Sequence, residues 1–249
     1  MQAILDACEG GRLTAEVVFV GSDNPQAAGL ERARRRGIPT FVVDYRAVLK
    51  AFRENPGAAR LPADFRLEEI RAKQGLLGKT VDSGRVDAFL MSRAAAEAIL
   101  LAAMREIPYD LIALAGFMRT LTPYFIDRVN TDRAAWRLMN IHPALLPAFP
   151  GTDGYGDTWR YGCKVAGCTV HFVDYGEDTG PIIGQRAFPI REEDTLETIR
   201  RRGLEQEWEL YPECLQLFAE GRLHTERVVH ELPGGRRFER SVVRIAPAV

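Results

Sequence analysis

Short apolar runs alternate with stretches of helical spacing along most of this 249-residue chain, and that alternation is what most restricts its fold. Strand signals cover Ala15 to Val20, Pro39 to Val43, Leu111 to Ala115, Trp136 to Ile141, Gly167 to Val173 and Ile182 to Ile190. Among them, Asn24 to Arg36 and Ser92 to Ile107 repeat apolar residues at helical intervals. Strands joined through helices pair in parallel, because the crossover helix carries the chain back to the same end of the sheet. The chain is therefore read as α/β, a mainly parallel Rossmann-like sheet with helices on both faces. Its length suits one domain with one substantial core.

Helices also mark both flanks. Met1, Ile4, Leu5 and Cys8 repeat at helical spacing and stop at Gly10-Gly11, so the chain opens in an amphipathic helix. Asp194-Thr195-Leu196-Glu197 reads as a helix start with a carboxylate cap, followed by a buried stripe of Leu196, Ile199, Gly203, Leu210, Cys214 and Leu217. Pro212 removes a backbone donor and should kink that helix. Glu207 falls on the stripe, where a carboxylate must reach a polar cleft or find a partner. From Asp44 to Val86 the chain is polar and charge-rich, with Pro56-Gly57 and Gly75-Leu76-Leu77-Gly78 as breaks and room for one helix from Pro62 to Gln74.

Charge and cysteine usage narrow the function. Thirty-three basic against 34 acidic residues leave a net charge of −1, so nothing draws the whole molecule to nucleic acid or to an anionic membrane. The dense basic run Arg32-Ala33-Arg34-Arg35-Arg36 falls on a helix and reads as a solvated face. Cys8, Cys163, Cys168 and Cys214 are too scattered for a disulfide framework and lack zinc-ligand spacing, so a reducing compartment and no metal are expected. No apolar run reaches the length of a membrane span. A soluble, cytoplasmic protein that handles small molecules is the expectation.

The chemistry concentrates in Asn140-Ile141-His142-Pro143, which runs on through Ala144-Leu145-Leu146-Pro147-Ala148-Phe149-Pro150-Gly151 and is answered by Asp178 in Glu177-Asp178-Thr179-Gly180-Pro181. Strand side chains alternate faces, so Asn140 and His142 project the same way from the carboxyl end of their strand. Open α/β sheets place their ligand crevice there. The tight turn around Asp178 is read as able to shift its carboxyl toward the working pH.

This string resembles the folate-dependent formyltransferases, and within them the branch that formylates glycinamide ribonucleotide. Leu114-Ala115-Gly116-Phe117-Met118-Arg119 is similar to the family's folate-side strand and loop, and Gly167-Cys168-Thr169-Val170-His171-Phe172-Val173 to the strand that leads to its catalytic aspartate. Gly29-Leu30-Glu31-Arg32-Ala33 and Tyr211-Pro212 also have counterparts. The resemblance implies transfer of the formyl group of 10-formyltetrahydrofolate to the amine of glycinamide ribonucleotide. It implies Asn140 as holder of the oxyanion, His142 as its stabiliser or proton shuttle, and Asp178 as the partner of His142. Such a set needs no covalent nucleophile. Phe117, Met118, Arg119 and Leu121 would line the folate pocket, Glu207 would touch the amine substrate, and Thr169 and His171 would support the site. His171 reads equally well as a core histidine.

Three alternatives share part of this pattern. Methionyl-tRNA formyltransferase carries the same Asn, His and Asp but continues into an Arg-Gly turn, where this chain has Phe149-Pro150-Gly151. Formyltetrahydrofolate hydrolase has a regulatory domain ahead of its formyltransferase part. A catalytically silent binder of folate or nucleotide is the third. The chain also departs from the family in two places. Thr152-Asp153-Gly154-Tyr155 replaces a Leu-His-x-His flap. The family's first strand and its Gly-rich phosphate loop precede the helix on which this sequence opens, so residues 1–249 are expected to be a single domain lacking that strand, with an insertion at about 44–88.

Overall fold

The computed structural model describes residues 1–56, 61–132 and 135–247. In chain order the elements are α1 (Gln2–Glu9), β1 (Val20–Ser22), α2 (Ala28–Arg34), β2 (Thr40–Val42), α3 (Tyr45–Glu54), α4 (Leu67–Lys73), α5 (Ser83–Met104), β3 (Ile112–Leu114), α6 (Pro123–Val129) and β4 (Leu138–His142). They continue with α7 (Gly154–Arg160), β5 (Val165–Phe172), β6 (Ile182–Pro189), α8 (Leu196–Ala219), β7 (Leu223–Leu232) and β8 (Arg236–Ile245). The α/β class is as expected, but the strand pairing is mixed rather than mainly parallel. β1 pairs β2 and β3 pairs β4 in parallel, while β5 runs antiparallel to both β4 and β6. The turn at 173–181 is too short for a crossover helix, and a short connection can only reverse the chain.

Leu138 and Met139 show why the apolar run on β4 is continuous. Both are fully buried, and as neighbours on a strand they face opposite ways. Leu138 packs among Met104, Phe125, Ile126 and Val129 of α5 and α6. Met139 packs among Leu210, Tyr211 and Leu215 of α8 together with Val170 and Ile183. Helices therefore cover both faces, and each such buried side chain contributes about 1.5–3 kcal/mol. The Tyr211 hydroxyl lies 2.9 Å from the carbonyls of both Leu114 and Met139, sharing its one hydrogen between β3 and β4.

Between β1 and β3 the sheet is interrupted. A cleft of about 720 Å³ separates them, lined by Met1, Leu5, Val17, Phe19, Ile112 and Leu215 among others. Among the described residues no strand pairs with either facing edge. Of the strand expected from Ala15 to Val20, only Val20 is paired, because strand geometry needs a hydrogen-bonded neighbour and β2 reaches only Val20 to Ser22.

Other boundaries moved for local reasons. The 44–88 stretch holds α3 and α4 and the start of α5, not one helix. Asp44 caps α3 by accepting from the Ala47 amide at 2.9 Å, and Tyr45 and Phe52 are buried beneath it. Gly57 of the expected Pro56-Gly57 break lies outside the described residues. α5 starts nine residues ahead of Ser92, at Ser83, where Asp82 caps it. α8 is capped by Thr195, in a reciprocal box with Thr198, rather than by Asp194, and it runs on through Pro212 to Ala219.

Glu97 of α5 is fully buried, and it anchors Thr122, the residue that caps α6, through bonds from the Thr122 amide at 2.7 Å and hydroxyl at 2.6 Å. Burial lifts its carboxyl to about 7 from an ordinary value of 4.5, against the pull of those two bonds. A folded-state pKa above the unfolded one means a stabilising contribution that is complete below about pH 4.5 and lost as pH rises through about 7. Glu97→Gln should therefore flatten the stability curve across that window. Urea midpoints measured at several pH values would show it, and an unchanged slope would contradict this account.

Candidate active site

Strand pairing assembles the site. In the β4–β5 register Asn140 stands opposite His171 and His142 opposite Thr169, so all four side chains share one face at the carboxyl end of β4. The Asn140 amide nitrogen lies 3.4 Å from His171 Nε2. His171 Nδ1 donates to the Phe172 carbonyl at 2.8 Å, and its Nε2 faces both the Asn140 amide and the Asp178 carboxylate. Thr169 works differently. Its hydroxyl donates to the Ala144 carbonyl at 2.7 Å and accepts from the Leu146 amide at 3.0 Å, tying down the loop that follows His142.

His142 is 2% exposed and engaged at both ring nitrogens. Nε2 lies 2.7 Å from the Phe149 carbonyl, and a carbonyl can only accept, so Nε2 carries a hydrogen. Nδ1 then meets Asp178 Oδ2 at 3.2 Å, a contact that an imidazolium serves and a neutral ring with its hydrogen on Nε2 does not. Burial pulls the His142 pKa below its ordinary value, while Asp178 and the Phe149 carbonyl push it up.

Asp178 accepts from the Gly151 amide at 2.8 Å and has His171 Nε2 at 3.6 Å from its other oxygen. Burial alone would raise its carboxyl, but His171, the Gly151 amide and His142 together hold it below the usual carboxylate range. The expected shift toward the working pH is thus reversed. Asp178 stays ionised beside His142. Asp178 and Phe149 both hold the left-handed backbone, at φ 53° and 55°, which non-glycine residues rarely adopt without neighbours that impose it.

These groups border a cavity of about 200 Å³, and its opposite wall is the 116–121 loop with Phe117, Met118, Arg119 and Leu121. Met118 is 63% exposed at the mouth, and Leu121 is buried. Arg119 is held by Asp23 at 2.5 Å, and Phe117 packs edge-on to Tyr45. The long stretch before α5 also reaches the cavity. Leu76 lines it, and the Gly75 amide donates to the Tyr175 carbonyl at 2.8 Å. Sequence reasoning gave that stretch no role, since a glycine pair carries no chemical signal of its target.

Glu207 is not among the residues lining this cavity. Its carboxylate accepts from the Tyr155 hydroxyl at 2.8 Å, and burial raises its pKa against the pull of Tyr155 and of the Met1 amine. Tyr155 belongs to the segment that departs from the family flap, and that segment forms the start of α7. The Gly151 amide and the Phe149 carbonyl were likewise not singled out, because backbone groups are invisible in residue type. Among the described residues no cluster of three or more His, Cys, Asp or Glu is placed to hold a metal, and no helix is long and apolar enough to cross a membrane.

Asn140 and the His142–Asp178 pair thus line one small cavity together with the 116–121 loop. The family model described as formyl transferase matches residues 1–215, and the chain belongs to that family. Within it the chain is 31% identical over 234 residues to phosphoribosylglycinamide formyltransferase of Haemophilus influenzae, covering 94% of this chain and 88% of that protein. It is 46% identical over 127 residues to the Bacillus subtilis enzyme of the same name, covering 50% of this chain and 62% of that protein. The crystal structure of glycinamide ribonucleotide transformylase 1 from Symbiobacterium toebii matches with a TM-score of 0.70 at 36% identity, covering 99% of this chain and 88% of that one.

Proposed function

We propose that this chain moves the formyl group of 10-formyltetrahydrofolate to the primary amine of glycinamide ribonucleotide, a step of purine synthesis. The observation that carries the reading is the gathering of Asn140, His142, His171 and Asp178 on one wall of a cavity whose other wall is the Phe117–Leu121 loop. The amine nitrogen attacks the formyl carbon, the bond from that carbon to N10 of the folate breaks, and one amine proton ends on N10. Asn140, oriented by His171, donates to the oxyanion of the tetrahedral intermediate. His142 turns its Nε2 hydrogen from the Phe149 carbonyl to the same oxygen, with Asp178 balancing its charge. The amine-side role of Glu207 rests on the resemblance alone, since its carboxylate meets Tyr155 and does not line the cavity.

Incubation with 10-formyltetrahydrofolate and each acceptor in turn tests this. Formylated glycinamide ribonucleotide is the expected product by mass spectrometry. Faster formylation of methionyl-tRNA, or release of formate that needs no amine, would overturn the assignment.

We infer in addition that residues 1–249 form a single domain whose cleft between β1 and β3 accepts one further β-strand. In support, the cleft is largely apolar, runs between two unpaired strand edges and is lined at one end by Met1. The Ile112 amide donates to Arg137 of the β4 side, so the amides of Leu111 and Ala113 point the other way, into the cleft. An apolar strand-forming extension fused ahead of Met1 should slow hydrogen exchange at Leu111 and Ala113. Exchange that stays fast there counts against the inference.

A further inference from the structure

We propose that Arg240 is a positioning residue for the reaction: from β8 its guanidinium grips the carbonyls of Thr179 and Gly180 and so fixes the turn that presents Asp178 to His142. The proposal rests on the reading of Asp178 as the partner of His142 in formyl transfer. Arg240 Nη2 donates to the Thr179 carbonyl at 3.2 Å and to the Gly180 carbonyl at 3.4 Å. Those are the two residues that follow Asp178 in the chain. A guanidinium suits this task, since its hydrogens fan out in a plane and its bonds to carbonyls are charge-assisted.

The turn needs such a hold on that side. Ahead of Asp178 it is already fastened, since Asp174 accepts from the Gly176 amide at 3.1 Å and Gly75 bonds the Tyr175 carbonyl at 2.8 Å, while the Thr179 hydroxyl reaches back across the turn to Asp174 at 2.6 Å. Behind Asp178 the Phe172 amide bonds the Pro181 carbonyl at 2.9 Å, which closes the base of the turn but leaves the carbonyls of residues 179 and 180 to Arg240. Asp178 itself sits in the left-handed region, where it stays only if its flanks are fixed.

The rest of the hairpin points the same way. Arg227, Arg237 and Arg244 are paired with Glu239, Glu231 and Glu226 across the two strands. Arg240 stands opposite Val228 instead, and among the described residues no carboxylate pairs with it. It is half-buried, and β8 touches the sheet through β6, the strand that leaves the Asp178 turn. The hairpin commits this cation to backbone oxygens beside the site.

Arg240→Met and Arg240→Lys test the assignment. The methionine variant should lose about tenfold in kcat, with the KM of each substrate within about twofold, and lysine should recover most of the loss. His142 is surrounded by Asp178, His171 and Glu177, and the Asp178 charge raises its pKa. A turn that drifts away should therefore let the His142 imidazole titrate at lower pH in Arg240→Met. With four histidines in the chain, His142 can be followed by NMR. A wild-type kcat, or an unshifted His142 titration, in the methionine variant overturns the proposal. If neither protein transfers formyl groups, the reading of the reaction has failed, and the NMR titration still decides the role of Arg240.

Discussion

Asn140→Ala should lower kcat by roughly two to three orders of magnitude while the protein unfolds at the same urea concentration as the parent. Asn140 is half-buried, and its side chain approaches His171 at 3.4 Å, too long a contact to contribute much stability. Its amide matters only once an oxyanion forms beside it. An interaction made only in the transition state lowers kcat and kcat/KM together, and KM should hardly move. Asp178→Asn should lose turnover on a similar scale by another route. The amide keeps the shape of the carboxylate but removes the negative charge that favours a second hydrogen on His142 as the reaction proceeds. Near-normal formyl transfer in either variant, measured on a parent protein shown to be active, would refute these roles.

Gly180→Ala should cost more than any other single methyl group near the site. A Cβ built there falls 1.7 Å from the Phe172 carbonyl oxygen, and backbone atoms at the base of a turn cannot step aside as the end of a flexible side chain can. Overpacking of this kind costs about 3 kcal/mol or more, and relief comes only by opening the turn that carries Asp178. Stability and turnover should fall together. Gly221→Ala is a useful contrast, because there the backbone is left-handed but the space is open, so a cost of about 1 kcal/mol with full activity is expected. Equal urea midpoints for the parent and Gly180→Ala would show that the turn is softer than its geometry implies.

How much of this was legible in the sequence depended on whether the signal was local. Asn140 and His142 on one strand face follow from period-two alternation, and their union with Asp178 came from a string of residues long enough to carry a family resemblance. The buried strands were legible wherever both faces are covered, as in Leu138 and Met139. What escaped was set by partners far along the chain. The reversal from β5 to β6 is fixed by the short turn between them, and the Asp178 pKa by amides and rings that the fold delivers. Ala15 to Phe19 have strand composition but pair with no strand among the described residues, so composition alone misled. Glu207 read as a substrate group, while its companion Tyr155 lay in the segment least like the family.

The Tyr211 hydroxyl, shared between the carbonyls of Leu114 and Met139, has a bearing on when in its synthesis this protein acquires a finished site. Those carbonyls leave the ribosome 97 and 72 residues ahead of the side chain that joins them. At bacterial or eukaryotic elongation speeds the longer wait is roughly 5 to 20 s, ample time for helices and strand pairs to form but not for this joint. Until α8 emerges, the strand that carries Asn140 has no strut from that helix, and Met139 lacks Leu210, Tyr211 and Leu215 against its second face. A nascent chain released between Asp178 and Tyr211 therefore holds the motif residues without the frame that aligns them.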